Sequence, residues 1–247
     1  MKNLYGLIGY RLSHSFSKQY FSNKFEQEHI EDSSYELFEL KDIQEFPQLI
    51  EQHPNIKGMN VTIPYKQQVM RYLDGLDGSA KLVGAVNTIK FENNKRMGFN
   101  TDYYGFKESL ENWLGAKQVK KALVLGTGGA SRAVKCTLHA LEIDFMMISR
   151  ESSEHAISYE ELKQKHQLKE FPLIINTTPL GMSPNIETCP DIAYEQLSSA
   201  NYCYDLVYNP EITLFMKKSE ERGAAVKNGL EMLHLQAEKS WEIWNNG

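Results

Sequence analysis

Residues 120–134, KKALVLGTGGASRAV, constrain the fold more than any other stretch. Ala122, Leu123, Val124 and Leu125 form a short apolar run. A glycine turn follows at Gly126, Gly128 and Gly129, and residues 130–141 have helical spacing. An apolar strand, a glycine turn and a helix start are the parts a dinucleotide pyrophosphate requires. The glycines let backbone approach the phosphates, and the helix N-terminus offers unpaired N–H groups. Ser131 stands where a third Gly or Ala is usual, and its small side chain still permits close helix–strand packing. A tight turn with no ligand is the plain alternative; the strand–helix context favours a nucleotide.

The next strand, 144–149 (DFMMIS), ends in Ser149–Arg150. NAD sites place Asp or Glu at this point to hold ribose hydroxyls, whereas NADP sites place Arg near the 2′-phosphate. Ser149 and Arg150 therefore favour NADP. Glu151 and Glu154 oppose a phosphate if they face it, and Ser152 and Ser153 between them mark an exposed loop.

Bulk properties exclude several other functions. A net charge of −5 gives no reason to expect nucleic acid or an anionic membrane as partner. The three cysteines, Cys136, Cys189 and Cys203, are far apart and form no C-x-x-C pair, so no disulfide framework or metal site is expected. No apolar run reaches membrane-spanning length and no signal peptide is visible. The expectation is a cytoplasmic protein acting on a small molecule. With no exposed apolar stripe, a monomer or homodimer is expected.

The first hundred residues read as alternating strands and helices. Strands are expected at 4–9, 34–40, 56–61, 85–92 and 95–99, the last two joined by a turn at Asn93–Asn94. Helices are expected from Phe16 to about His29, from Asp42 to Gln52, through Pro64 to about Leu73, and from Asp102 to Trp113. Polar groups gather just past the strand ends: Ser13, Ser15, Asn60, Thr62, Lys66, Asn87, Asn100 and Asp102. Each alone is ordinary turn or cap chemistry. Together they lie where open α/β sheets bind ligands. Further strands are expected at 156–158, 173–176, 202–207 and 224–227, with helices at 159–166, 213–223 and 230–244. In the last helix Gln236, taken alone, reads as a surface glutamine.

The chain resembles the shikimate dehydrogenase family over nearly its whole length. The matching segments are GYRLSHSFS (9–17), GMNVTIPYK (58–66), GAVNT (84–88), GFNTDYYG (98–105), GTGGASRA (126–133), NTTPLGM (176–182), DLVYNP (205–210) and GLEMLHLQA (229–237). The resemblance implies reversible NADPH-dependent reduction of 3-dehydroshikimate to shikimate in aromatic amino-acid biosynthesis. It implies Lys66 and Asp102 as the catalytic pair. Ser13 and Ser15, helped by Tyr208, would hold the substrate carboxylate, and Asn60, Thr62, Asn87 and Gln236 the ring hydroxyls. Gly126, Gly128, Gly129, Ala130, Arg132, Ser149 and Arg150 would bind NADP(H), with Thr177, Leu206, Gly229 and Met232 lining the nicotinamide side. Lys18 replaces the family's usual Pro, Ser149 its Asn and Glu151 its Thr, and the short segment 151–156 leaves no room for the usual helix.

Two α/β domains follow. An N-terminal α/β substrate domain, 1–102, would be rejoined by the terminal helix, 228–247. A Rossmann-type, doubly wound dinucleotide-binding domain would span 103–227, with the active site between the two. Reducing a ketone takes a hydride on carbon and a proton on oxygen. Lys66 would supply the proton, or stabilise charge while water relays it, and Asp102 would orient the lysine. The alternatives are an NAD-accepting quinate/shikimate dehydrogenase and a non-catalytic dinucleotide sensor; intact Lys66 and Asp102 argue against the sensor.

Overall fold

The computed structural model describes residues 2–12, 15–165 and 167–246, so the candidate Ser13 lies outside the described residues. The chain divides into two compact units, Met1–Tyr104 with Gln236–Gly247, and Gly105–Leu235.

The first unit is built on a six-stranded mixed sheet of β1 (Asn3–Gly9), β2 (Ser33–Glu39), β3 (Ile56–Val61), β4 (Gly75–Leu76), β5 (Thr88–Glu92) and β6 (Lys95–Phe99). Their order is β2-β1-β3-β5-β6-β4. β1 runs parallel to β2 and β3, and β5 antiparallel to β3 and β6. Successive side chains of a strand point to opposite faces, so β1 feeds two cores. Leu4 and Ile8 pack with Phe46, Met59 and Ile89. Tyr5 and Leu7 pack with Phe21 and Phe25 of helix α1 (Phe16–Gln27). Asn93 and Asn94, at φ 51° and 58°, make the β5–β6 turn with the left-handed backbone that a tight hairpin needs.

Three departures from the expected elements have identifiable causes. Asp42 caps a single 3-10 turn, Ile43–Glu45, which passes directly into α2 (Phe46–Gln52). Helix α3 (Gly78–Val83) is unanticipated; Asp77 caps its start and Gly84, at φ 67°, ends it. Past Pro64 there is no α-helix, only a 3-10 turn over Gln68–Tyr72. The Lys66 carbonyl accepts the Val86 N–H at 2.7 Å, so the turn closes instead through the Met70 N–H to the Gln67 carbonyl at 3.2 Å. Helix α4 (Thr101–Leu114) then starts one residue before the expected point.

In the second unit every strand is parallel to its neighbours. It comprises β7 (Lys121–Leu125), α5 (Gly129–Ala140), β8 (Asp144–Ser149), β9 (Ile157–Ser158), α6 (Tyr159–Gln164), β10 (Leu173–Asn176), β11 (Tyr202–Asp205), α7 (Leu214–Glu220) and β12 (Ala225–Lys227). The order β12-β11-β10-β7-β8-β9 is that of the doubly wound dinucleotide fold, with its topological switch between β7 and β10. β7 is buried on both faces: Ala122 and Val124 enter one core, Leu123 and Leu125 the other. Burying each such leucine contributes about 1.5–3 kcal/mol. Between β8 and β9 there is no helix; the link is closed by a bridge between Ser153 and Ala156.

The last helix, α8 (Leu230–Asn245), sends Ala237 and Trp244 into the first unit's core. The Trp244 indole N–H donates to the Ile89 carbonyl at 3.0 Å. A Cβ on Gly58 would lie 2.4 Å from the indole ring, so only glycine fits beneath it.

Candidate active site

Lys66 sits in the turn after β3 and Asp102 in the first turn of α4. Their side chains meet with Nζ 2.7 Å from Oδ2, at 32% and 22% exposure, so the pair is neither sealed off nor free in solvent. Both supports are rigid. The bond from Val86 fixes the Lys66 backbone, and the Val61 N–H donates to the Asn87 carbonyl at 2.8 Å, joining the two Asn-bearing segments. Asn100 is the cap of α4: its Oδ1 accepts the Tyr103 N–H at 3.1 Å and its Nδ2 donates to the Ala85 carbonyl at 3.0 Å. The turn chemistry expected of an isolated Asn therefore accounts for Asn100.

The first unit also assembles a buried polar cluster, one member of which, Thr101, directly precedes Asp102. The Tyr35 hydroxyl donates to Asn60 Oδ1 at 2.7 Å, which turns Asn60 Nδ2 toward Ser240 Oγ at 3.1 Å and Thr88 Oγ1 at 3.2 Å. Asn87 Oδ1 accepts the Thr101 N–H at 2.6 Å, and its Nδ2 donates to Thr101 Oγ1 at 3.0 Å. Gln236 is buried, at 8% exposure, rather than on the surface, and its Oε1 accepts from Thr101 Oγ1 at 3.4 Å. Thr62 is half-buried at the end of β3. Ser15 caps α1, its hydroxyl accepting the Lys18 N–H at 3.3 Å. Lys18, one of the departures from the family pattern, thus touches Ser15 through an N–H that a proline lacks. Tyr208 lies in the second unit, 37% exposed, and partial burial raises its phenol pKa. Thr88, Thr101, Ser240 and Tyr35 were not among the expected site residues. The two threonines stand inside the GAVNT and GFNTDYYG segments, which was the available signal.

The glycine turn of the second unit fits a dinucleotide. Gly126 has φ +105°, and a Cβ there would lie 2.9 Å from Thr177 Oγ1. Cβ atoms on Gly128 and Gly129 would meet nothing within 4 Å, so the backbone on that side is open. Gly128 opens α5 with no side chain capping the helix, leaving its first N–H groups for an anion. Ser131 is fully buried and donates to the Gly128 carbonyl at 2.7 Å, which pins the turn where a third glycine is usual. Ala130 and Arg132 are exposed beside it. Thr177 locks the turn across the switch point, its hydroxyl donating to the Leu125 carbonyl at 2.8 Å. At the end of β8, Ser149 donates to the Glu151 carbonyl, and Arg150, Glu151 and Glu154 are exposed.

The ends of β10 and β11 are tied by Asp205, which lies outside the expected site residues. Asp205 is fully buried; its carboxylate accepts from Asn176 Nδ2 at 2.9 Å, the Val207 N–H at 3.0 Å and Thr213 Oγ1 at 2.6 Å. Burial outweighs these hydrogen bonds and pushes its pKa up to about 6. Leu206 follows directly, and its carbonyl would lie 2.2 Å from a Cβ on Gly229. Met232 packs against the core that includes Tyr204. Among the described residues no group of three or more His, Cys, Asp or Glu could hold a metal ion, and no helix is long and apolar enough to cross a membrane.

A doubly wound unit with an open glycine turn, in a chain that also carries a paired lysine and aspartate, defines a Rossmann-type dehydrogenase architecture. The profile of the shikimate dehydrogenase substrate binding domain matches residues 7–89. A shikimate dehydrogenase (NADP(+)) of Methanococcus aeolicus is 39% identical over 259 residues, covering 98% of this chain and 91% of its own. A chorismate mutase/shikimate 5-dehydrogenase fusion protein from Clostridium acetobutylicum superposes with a TM-score of 0.88 at 36% identity, over 100% of this chain and 92% of its own. A shikimate dehydrogenase in complex with NADP+ gives 0.85 at 33% identity, over 100% and 91%. The chain belongs to the shikimate dehydrogenase family.

Proposed function

We propose that the chain catalyses the reversible NADPH-dependent reduction of 3-dehydroshikimate to shikimate, a cytoplasmic step of aromatic amino-acid biosynthesis. The observation that carries this reading is the Lys66–Asp102 pair, 2.7 Å apart and part-exposed. The relatives' names and the NADP+ complex support the substrate and the cofactor. Gly126, Gly128, Gly129, Ala130 and Arg132 would hold the pyrophosphate, Ser149 and Arg150 the 2′-phosphate, and Thr177, Leu206, Gly229 and Met232 the nicotinamide end. When bound, NADPH supplies the hydride.

The chain's own residues supply the rest. Lys66 Nζ donates a proton to the carbonyl oxygen as the ketone is reduced and takes one back from the hydroxyl in the reverse direction. Asp102 Oδ2 accepts from that ammonium and holds it in place. Ser13, Ser15 and Tyr208 bind the substrate carboxylate through hydroxyl donors, and Thr62, Asn87 and Gln236 hold ring hydroxyls. Asn60 joins them, its amide oriented by Tyr35, Thr88 and Ser240. Lys66→Ala tests the assignment. The expected result is a fall in kcat of about 10²–10⁴-fold with shikimate affinity nearly kept, the range for loss of an acid/base group. Unchanged turnover would contradict it.

A further inference from the structure

Asn176, Asp205 and Thr213 of the second unit have no exposed surface, and none of them is a proposed ligand contact. They stand at the end of β10, at the end of β11 and at the cap of α7. Backbone N–H groups, which can only donate, fix where the protons between them lie. Asp205 Oδ1 accepts the Val207 N–H at 3.0 Å, so the Asn176 group 2.9 Å from that oxygen is the NH2 end of its amide. Asn176 Oδ1 accepts the Thr178 N–H at 3.0 Å, which demands the same orientation from the other end. The Thr178 hydroxyl accepts the Leu180 N–H at 3.3 Å and donates to Asn176 Oδ1 at 2.7 Å. Thr213 Oγ1 accepts the Met216 N–H at 3.3 Å and sends its own proton to Asp205 Oδ2 at 2.6 Å. One line of buried bonds thus runs from α7 through Asp205 and Asn176 into the loop after β10.

Two of the proposed nicotinamide contacts are held by this line. Thr177 lies between Asn176 and Thr178. Leu206 lies between Asp205 and Val207, and its N–H donates to the Asn176 carbonyl at 2.9 Å. A Cβ on Gly126 would lie 2.8 Å from Thr178 Cγ2, so the loop after β10 also packs directly against the glycine turn. Removing the Asp205 acceptor would strip two donors, Asn176 Nδ2 and the Val207 N–H, of that partner, and buried donors left so move to find another.

We propose that Asp205 is a positioning residue for NADP(H): by fixing the Asn176 amide on one side and the Val207 N–H on the other, its carboxylate holds Thr177 and Leu206 where they meet the nicotinamide. This inference rests on the cofactor reading above and adds to it the residue that governs the nicotinamide end. Ser149 and Arg150, the proposed 2′-phosphate contacts, follow β8, which lies on the other side of β7 in the strand order. The two ends of the cofactor can therefore be probed separately.

Asp205→Asn keeps an oxygen for Asn176 and Val207, whereas Asp205→Ala removes it. NADPH and adenosine 2′,5′-bisphosphate, which carries the 2′-phosphate but no nicotinamide, are titrated calorimetrically into the intact chain and both variants. The expected result is NADPH binding weakened about tenfold or more in Asp205→Ala, the scale of one lost buried partner, with adenosine 2′,5′-bisphosphate within about twofold. Asp205→Asn is expected to bind both ligands within about twofold of the intact chain. Thr178→Val keeps the shape and the backbone donor but removes a hydroxyl from the line, and it weakens NADPH in the same direction. If Asp205→Ala does not fold, Thr178→Val takes its place in the comparison. Unchanged NADPH affinity, equal weakening of the two ligands, or equal damage in the asparagine and alanine variants overturns the proposal. An intact chain that binds no NADPH overturns it together with the cofactor reading. NADPH binding without turnover of shikimate contradicts the proposed substrate alone, and the titrations then still decide the role of Asp205.

Discussion

Asp205 shows what burial does to a single carboxyl. Its pKa is raised from 3.8 to about 6, with burial as the largest cause. A raised folded-state pKa means the neutral form is favoured in the fold. The associated stability is fully present below the unfolded value of 3.8 and is lost as pH rises through about 6. A shift of this size corresponds to about 3 kcal/mol. Asp205→Asn keeps an oxygen for Asn176 and Val207 and presents an NH2 group to Thr213. Its melting temperature relative to the parent is therefore expected to rise between pH 4 and pH 8, measured by thermal unfolding at both. A difference independent of pH would show that Asp205 does not titrate in that window.

Gly229 is constrained by contact rather than by backbone angle. An alanine there would place Cβ 2.2 Å from the Leu206 carbonyl oxygen, and backbone cannot give as a flexible side chain can. Gly229→Ala is expected to cost about 1–3 kcal/mol, the usual range for overpacking. It should also raise NADP KM, because Leu206 is a proposed nicotinamide contact. Denaturant unfolding and cofactor titration check both. A neutral substitution would mean that the β11–α8 approach relaxes freely.

At the scale of elements, the exposed stretch after β8 is the proposed determinant of cofactor choice. Arg150→Ala is expected to raise NADP KM about tenfold while leaving the weak use of NAD unchanged, since a guanidinium–phosphate pair exists only with the 2′-phosphate. Equal effects on both cofactors would place Arg150 elsewhere. The strands of this unit were the most legible part of the sequence. β10 coincides with the run 173–176, because a parallel strand buried on both faces is a near-continuous apolar run, and β8 with 144–149, whose centre, 145–148, is apolar. Helix α3 escaped notice because six residues carry too little periodicity, although Asp77 and Gly84 are ordinary start and stop signals. The helix expected after Pro64 failed for a non-local reason: the Lys66 carbonyl is taken by Val86, twenty residues on. Gln236 read as a surface residue because its neighbours on the buried face include Ser240, and a hydroxyl gives no apolar signal. Lys66 and Asp102 are legible as polar groups past strand ends, but their pairing with each other only through motif resemblance. No spacing rule brings residues so far apart in sequence to 2.7 Å.

At the scale of the whole molecule, each unit has its own sheet and its own core on both faces of that sheet. The Lys66–Asp102 pair and the buried hydroxyl cluster belong to the first unit; the open glycine turn belongs to the second. The central claim is that these two sets of residues serve one NADP-linked oxidation of shikimate. Initial rates of cofactor reduction with shikimate, run separately with NADP and NAD at matched concentrations, test it most directly. The expected result is turnover with a strong preference for NADP. Preference for NAD would show that Glu151 and Glu154 override Arg150, and absence of turnover with either cofactor would contradict the assignment of Lys66 and Asp102 as a working pair.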